Sequence, residues 1–153
     1  MPPLTIPPDP NSPWFLPFFV LTWLAVAGLL AALSGWSSLA TQFRASQPVE
    51  GERFRFASAS IGARWLPVSY GNCLFVTVAP AGLRLSILFP FRFMSPPLYI
   101  PWSNVESVEE GRFLFMPFVA IRLVGHWSRI KLYGRLGQQV LRAHARARSK
   151  NAL

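Results

Sequence analysis

Residues 14–34 read WFLPFFVLTWLAVAGLLAALS, 21 positions without a charge, and no other stretch limits the fold as strongly. At 1.5 Å per residue a helix of that length spans about 31 Å, the thickness of a bilayer's hydrocarbon core. Ser12 and Pro13 supply an N-cap and a first helical residue, and Pro17 falls in the first turn, where a missing N–H costs little. Trp14 and Trp36 bracket the stretch as interfacial aromatics do. A buried core helix rarely needs so long an uncharged run, and a cleaved signal peptide needs a basic start that residues 1–12 lack. The sequence therefore predicts an extramembrane tail over 1–12 and a transmembrane helix over 13–36.

Charge gives the expected orientation. The chain has 15 Lys and Arg against 6 Asp and Glu, a net charge of +9, and every basic residue follows the apolar span, beginning at Arg44. Only Asp9 precedes it. The positive-inside rule then predicts an external N-terminus and a cytoplasmic C-terminal part, in the inner membrane of a bacterial-type cell. With 52% apolar and 14% charged residues, a disordered acidic or basic tail is excluded. Cys73 is the single cysteine, which excludes a disulfide framework and fits a reducing compartment.

The span is uneven along its length. Trp14, Phe15, Phe18, Phe19 and Trp23 make the first half aromatic, whereas Ala25, Ala27, Gly28, Ala31, Ala32 and Gly35 make the second half small. Ala27, Ala31 and Gly35 recur four apart, with Gly28 and Ala32 alongside, a pattern that lets another helix approach closely. Small residues are also simply common in membrane helices. The span has no ionisable residue or histidine, so neither a proton path nor haem or chlorophyll ligation through histidine is expected there.

Residues 37–51 read as a helix extension and linker: 36–44 prolong the helix, and the SQPVEG segment ends it. From 52 to 150 a single domain is expected. Period-two alternation marks strands over 52–59, 64–70, 73–78, 83–89, 98–102, 105–109, 112–116, 119–124 and 128–133, with a turn at Pro80-Ala81-Gly82. The period then changes: Leu136, Val140, Ala143 and Ala147 form a stripe at helical spacing over 134–150.

Antiparallel strands followed by one amphipathic helix, with the run VTVAPAGLRLSILFPFRFMSPPLYIPWSNVESVEEG, resemble a bacterial pleckstrin-homology-like or GRAM-like domain. The positions that carry the likeness are Gly82, Ile100, Pro101, Trp102, Ser103, Asn104 and Val105, and it extends over about 52–148. The resemblance implies a mainly-β domain behind the single transmembrane α-helix. The phosphoinositide-binding members' Lys/Arg cluster between the first two strands has only Arg53, Arg55 and Arg64 as counterparts here.

Two segments are candidate contact surfaces. The stretch 89–101, FPFRFMSPPLYIP, gathers Phe89, Phe91, Phe93, Met94 and Tyr99 around one charge, Arg92, with Trp102 just beyond. Its prolines disfavour an interior strand, so the rings either meet a membrane or partner or fold back over the domain. The C-terminal stretch from His126 holds Arg129, Lys131, Arg135, Arg142, Arg146, Arg148 and Lys150 and no acid. Beside a membrane such a helix is drawn to anionic headgroups or an acidic partner; otherwise it is a solvated face.

No catalytic pattern accompanies these segments. His126 and His144 are the only histidines, and Glu106, Glu109 and Glu110 lack a matched base or metal-spaced partner. No phosphate-binding glycine loop or nucleic-acid motif is present. The reading is of a non-enzymatic chain without cofactor, metal or small-molecule substrate. The expected role is accessory subunit of a larger membrane complex, respiratory and photosynthetic assemblies being natural hosts. The alternative is an independent module on anionic lipid, and an enzyme with an unrecognised site is a minor third.

Overall fold

The computed structural model describes residues 9–89, 92 and 94–153. The apolar run forms helix α1, Phe15–Leu33, whose only buried residue is Ala31. Among the described residues it is one helix long and apolar enough to cross a membrane. It begins two residues after Pro13, with Trp14 at the cap and no side-chain cap bond; Ser12 Oγ instead accepts from the Trp14 N–H at 3.4 Å.

The helix does not run on through residue 44. Gly35 takes φ +74°, a left-handed conformation that breaks the ladder, and a separate helix α2 follows at Trp36–Phe43. Trp36, Leu39 and Phe43 are buried, so α2 lies against the β domain with its other face open.

Seven antiparallel strands form one curled sheet in the order β4-β3-β2-β1-β7-β6-β5: β1 Glu52–Gly62, β2 Pro67–Val78, β3 Gly82–Ile87, β4 Leu98–Pro101, β5 Val105–Phe113, β6 Met116–Leu123 and β7 Arg129–Tyr133. A short 3-10 turn, Trp102–Asn104, joins β4 to β5, and helix α3, Gly134–Asn151, closes the chain. The architecture is the expected one: apolar helix, antiparallel sheet, C-terminal helix.

The strand limits differ from the sequence reading: β1 runs on to Gly62, β3 stops at Ile87, and two divisions fall elsewhere. Residues 67–70 and 73–78 belong to one strand, β2, because Asn72 takes φ +53° and bends the strand without ending it, while 64–66, expected as its start, form the bend before it. In the neighbouring β1, Phe56 takes φ +54°, and the β1–β2 register shifts between Phe54 and Ala59. Likewise 105–109 and 112–113 are one strand, and 116 opens the next: the turn lies at Leu114-Phe115, between residues that read as strand formers.

The sheet curls around Ile61, Leu74, Leu85, Ile100, Ile121 and Ile130, all at most 1% exposed. Helix α3 covers an open end with Leu136, Gly137, Val140 and His144, while Ala143 and Ala147 are partly buried. The His144 ring meets Trp102 edge-on at 5.8 Å. Burial, and secondarily Arg148, holds the His144 pKa below its ordinary value. Its neutral form is therefore favoured in the folded state, and unfolding lets it take up a proton. Stability should be level above about pH 7, fall as pH drops through the ordinary histidine range near 6.5, and level again below the folded pKa. Melting curves between pH 8 and 5 should show this slope in the native chain and a reduced one in His144→Phe; equal slopes would contradict it.

Candidate docking surfaces at the foot of the helix

The joint between α1 and the sheet is built from three consecutive residues. Ser34 is buried, and its hydroxyl donates to the Ala31 carbonyl at 3.2 Å while accepting from Tyr70 Oη at 3.0 Å and the Trp36 N–H at 3.3 Å. The Ser34 carbonyl accepts from Ser128 Oγ at 3.2 Å. A side chain on Gly35 would collide with Ser128 and approach Trp127 to 2.9 Å. Trp36 donates its indole N–H to the Pro96 carbonyl at 2.9 Å and packs on Tyr70, ring centroids 5.8 Å apart. Strand β2, the segment leading into β7 and the loop before β4 thus grip one helix end. A fully satisfied polar network of this kind fixes orientation as well as position.

This grip accounts for part of the small-residue stripe. Ala31 is buried, Gly35 lies under Trp127 and Ser128, and Gly28 faces Met94, whose Sδ lies 3.2 Å from where a Cβ would stand. Those three positions let the chain's own domain approach the helix. Ala32 is exposed and Ala27 half-exposed. Ala27 and Leu30 face Val68, Tyr70, Cys73 and Ser95 across a gap of about 240 Å³. Burial pushes the Cys73 thiol above its ordinary pKa, which keeps it protonated and a weak nucleophile. Burial raises Tyr70 as well, against its bond to Ser34.

The loop residues divide. Phe89, Arg92 and Met94 are exposed, and Met94 takes φ +62°. Phe91 and Phe93 lie outside the described residues. Tyr99 is half-buried in β4. Trp102 belongs to the core: it is 6% exposed and donates to the Ala79 carbonyl at 3.1 Å.

The basic residues occupy two faces. Arg135, Arg142, Arg146, Arg148 and Lys150 are exposed on α3. Arg129 and Lys131 are half-buried on the sheet, with Lys131 Nζ 5.1 Å from the Phe118 ring centre.

A third basic surface was only partly legible in the sequence. Arg53, Thr77, Arg84 and Tyr99 stand directly opposite one another across β1, β2, β3 and β4, so they share the outer face. Arg53, Thr77 and Arg84, with Arg55, Phe75 and Ser86, line a groove of about 470 Å³. Arg84 Nε is buried without a hydrogen-bond partner. Three guanidinium groups on one wall make a place where a phosphate or carboxylate would be held. Arg84 sits 29 residues beyond Arg55 in sequence, and only the strand register brings it alongside. Among the described residues no three His, Cys, Asp or Glu side chains come together as a metal site would require.

No family model matches the sequence, and no curated protein matches it.

Proposed function

We propose that this chain is a single-pass membrane protein with its N-terminus outside and a PH-like domain on the cytoplasmic side of the inner membrane, acting without catalysis as an accessory or stabilising subunit of a larger membrane complex. The observation that carries this reading is the joint at Ser34, Gly35 and Trp36. A receptor that samples the membrane surface works well on a loose tether. A domain locked to its own helix presents its faces at one height and one angle, which suits docking against neighbours fixed in the same bilayer. The PH-like assignment is supported by the seven-strand order and the closing C-terminal helix. The α1 surface left uncovered by the domain, the exposed Phe89, Arg92 and Met94 and the basic face of α3 are the contacts it would offer to other subunits.

The test is extraction in mild detergent followed by native electrophoresis and identification of comigrating chains. The protein should run within a large assembly and separate from it only at harsher detergent. If it runs alone at every detergent level, the subunit reading fails.

A second reading, a module for anionic headgroups, is favoured by the unpartnered Arg84 Nε in the Arg53, Arg55 and Arg84 groove. Here Arg53→Gln with Arg84→Gln should lower the anionic lipid that copurifies with the full chain several-fold. Unchanged lipid content would remove this reading.

A further inference from the structure

The β5–β6 hairpin ends in Phe113-Leu114-Phe115-Met116, and these four side chains are 61, 80, 96 and 57% exposed. Water-facing two-residue hairpin turns favour Asn-Gly, Asp-Gly or a leading glycine, which supply positive φ without strain. Here leucine takes φ +55° at the tip. A strained backbone carrying four bare apolar side chains is poorly suited to water.

The strand register shows where the tip points. Gly62 pairs with Arg129, and Arg129 with Arg122, at one end of the sheet. Phe118 pairs with Tyr133, and Phe113 with Met116, at the other. Gly35 sits at the first end, against Trp127 and Ser128. Going back along α1, Ser34 reaches Tyr70, and then Ala27 and Leu30 face Gly71 and Cys73. Residues 70 to 73 of β2 lead away from the Gly62–Pro67 pair, toward the other end. Helix α1 therefore runs back from its joint beside residues 68–73 of β2, the stretch whose Ser69 and Gly71 also line the hollow under the hairpin tip. Phe113 and Met116 share a hollow with Phe56, Ser69 and Gly71, and Gly71 also borders the gap facing α1.

Charge follows the same polarity. Arg112 adjoins the tip, and Lys131 stands on the face that carries Phe113, Met116 and Phe118. The nearest acids along the strand, Glu110 and Glu109, are three and four positions behind Phe113, about 10 to 13 Å at strand rise. Apolar residues at an edge with cations just behind them complement an anionic lipid interface.

We propose that the 113–116 tip is a second membrane contact, inserted into the leaflet nearest the domain while α1 crosses the bilayer, with Arg112 at headgroup level. The proposal rests on the reading of α1 as a spanning helix. The occupant of the tip is lipid: its acyl-chain boundary covers Leu114 and Phe115. Helix and hairpin together then hold the sheet upright at two points, complementing the joint at Gly35.

The test uses the full chain, Cys73→Ala, purified and reconstituted alone at high lipid excess. An environment-sensitive fluorophore is placed singly at Phe115→Cys, Glu109→Cys or Leu21→Cys, and the vesicles carry depth-placed spin-labelled lipids. Phe115 and Glu109 are exposed and Leu21 is an exposed residue of α1, so the substitutions spare the core; matching circular dichroism checks this. The proposal expects blue-shifted emission at 115, with quenching by shallow labels several-fold greater than at 109, and quenching at 21 by deep labels. Quenching at 21 without quenching at 115 overturns the tip insertion and leaves the spanning helix intact. A blue shift at 115 without lipid quenching shows the tip covered by protein and also overturns it. Loss of quenching at 21 removes both the spanning helix and the proposal that rests on it.

Discussion

Gly35→Val should uncouple the apolar helix α1 from the β domain while leaving the sheet folded. The residue sits at φ +74°, where a β-branched side chain is strongly disfavoured, and the backbone strain alone costs about 1–3 kcal/mol. The new side chain would also displace Ser128 and Trp127. Relief comes by moving α1, which breaks the bonds from Tyr70 and Ser128 to Ser34. The core strands do not depend on those bonds, so β-sheet circular dichroism should survive. Electron-spin distances between labels at Leu21→Cys and Glu110→Cys, in the Cys73→Ala chain, should be narrow in the parent and broad in the variant. An equally narrow distribution in Gly35→Val would show that the joint is not what fixes the domain.

Trp102→Ala should be the most destabilising single change within the β domain. The indole is 6% exposed, donates to the Ala79 carbonyl and packs on His144. Truncating a buried tryptophan costs about 3–5 kcal/mol, a large share of the 5–15 kcal/mol that typically holds a domain together. It also detaches α3, because His144 is one of the residues through which that helix closes the sheet. Trp102→Phe keeps a ring and leaves the Ala79 carbonyl short of a donor, so its loss should be smaller, about 1–3 kcal/mol. Urea unfolding followed by circular dichroism would rank the two. A Trp102→Ala chain as stable as its parent would mean that Trp102 does not anchor the end of the sheet.

Much of the architecture was legible because it rests on periodicity. The alternation in β3 and the Leu136, Val140, Ala143 and Ala147 stripe follow from burial on one side, and the charge-free run is legible from its length and composition. What escaped depends on contacts distant in sequence or on unusual backbone. Nothing around Gly35 marks it as a break, since glycine is ordinary in membrane helices; only Ser128 and Trp127, more than 90 residues later, require it. The 113–116 turn escaped because Phe, Leu, Phe and Met are strand formers or neutral, and no Gly, Asn or Pro announces a reversal. Arg84 escaped because its neighbours Arg53 and Arg55 come from β1 by register. Trp102 was grouped with the 89–101 contact stretch because it follows it directly, yet its large ring lies in the core just beyond β4. The stripe of Ala31 and Gly35 was legible as a close-packing face, but the structure places this chain's own domain, through Met94, Trp127 and Ser128, on part of it.

The central claim is that the chain crosses the bilayer once and holds its basic domain on the cytoplasmic side. Labelling intact cells with a membrane-impermeant maleimide tests it directly, using Ser12→Cys and Ser149→Cys in the Cys73→Ala background. Neither serine is part of the core, one preceding α1 and the other exposed near the end of α3. The account predicts labelling of the residue-12 cysteine in intact cells and of the residue-149 cysteine only after permeabilisation. Labelling at 149 in intact cells, or a chain that leaves the membrane fraction on washing with carbonate, would contradict it.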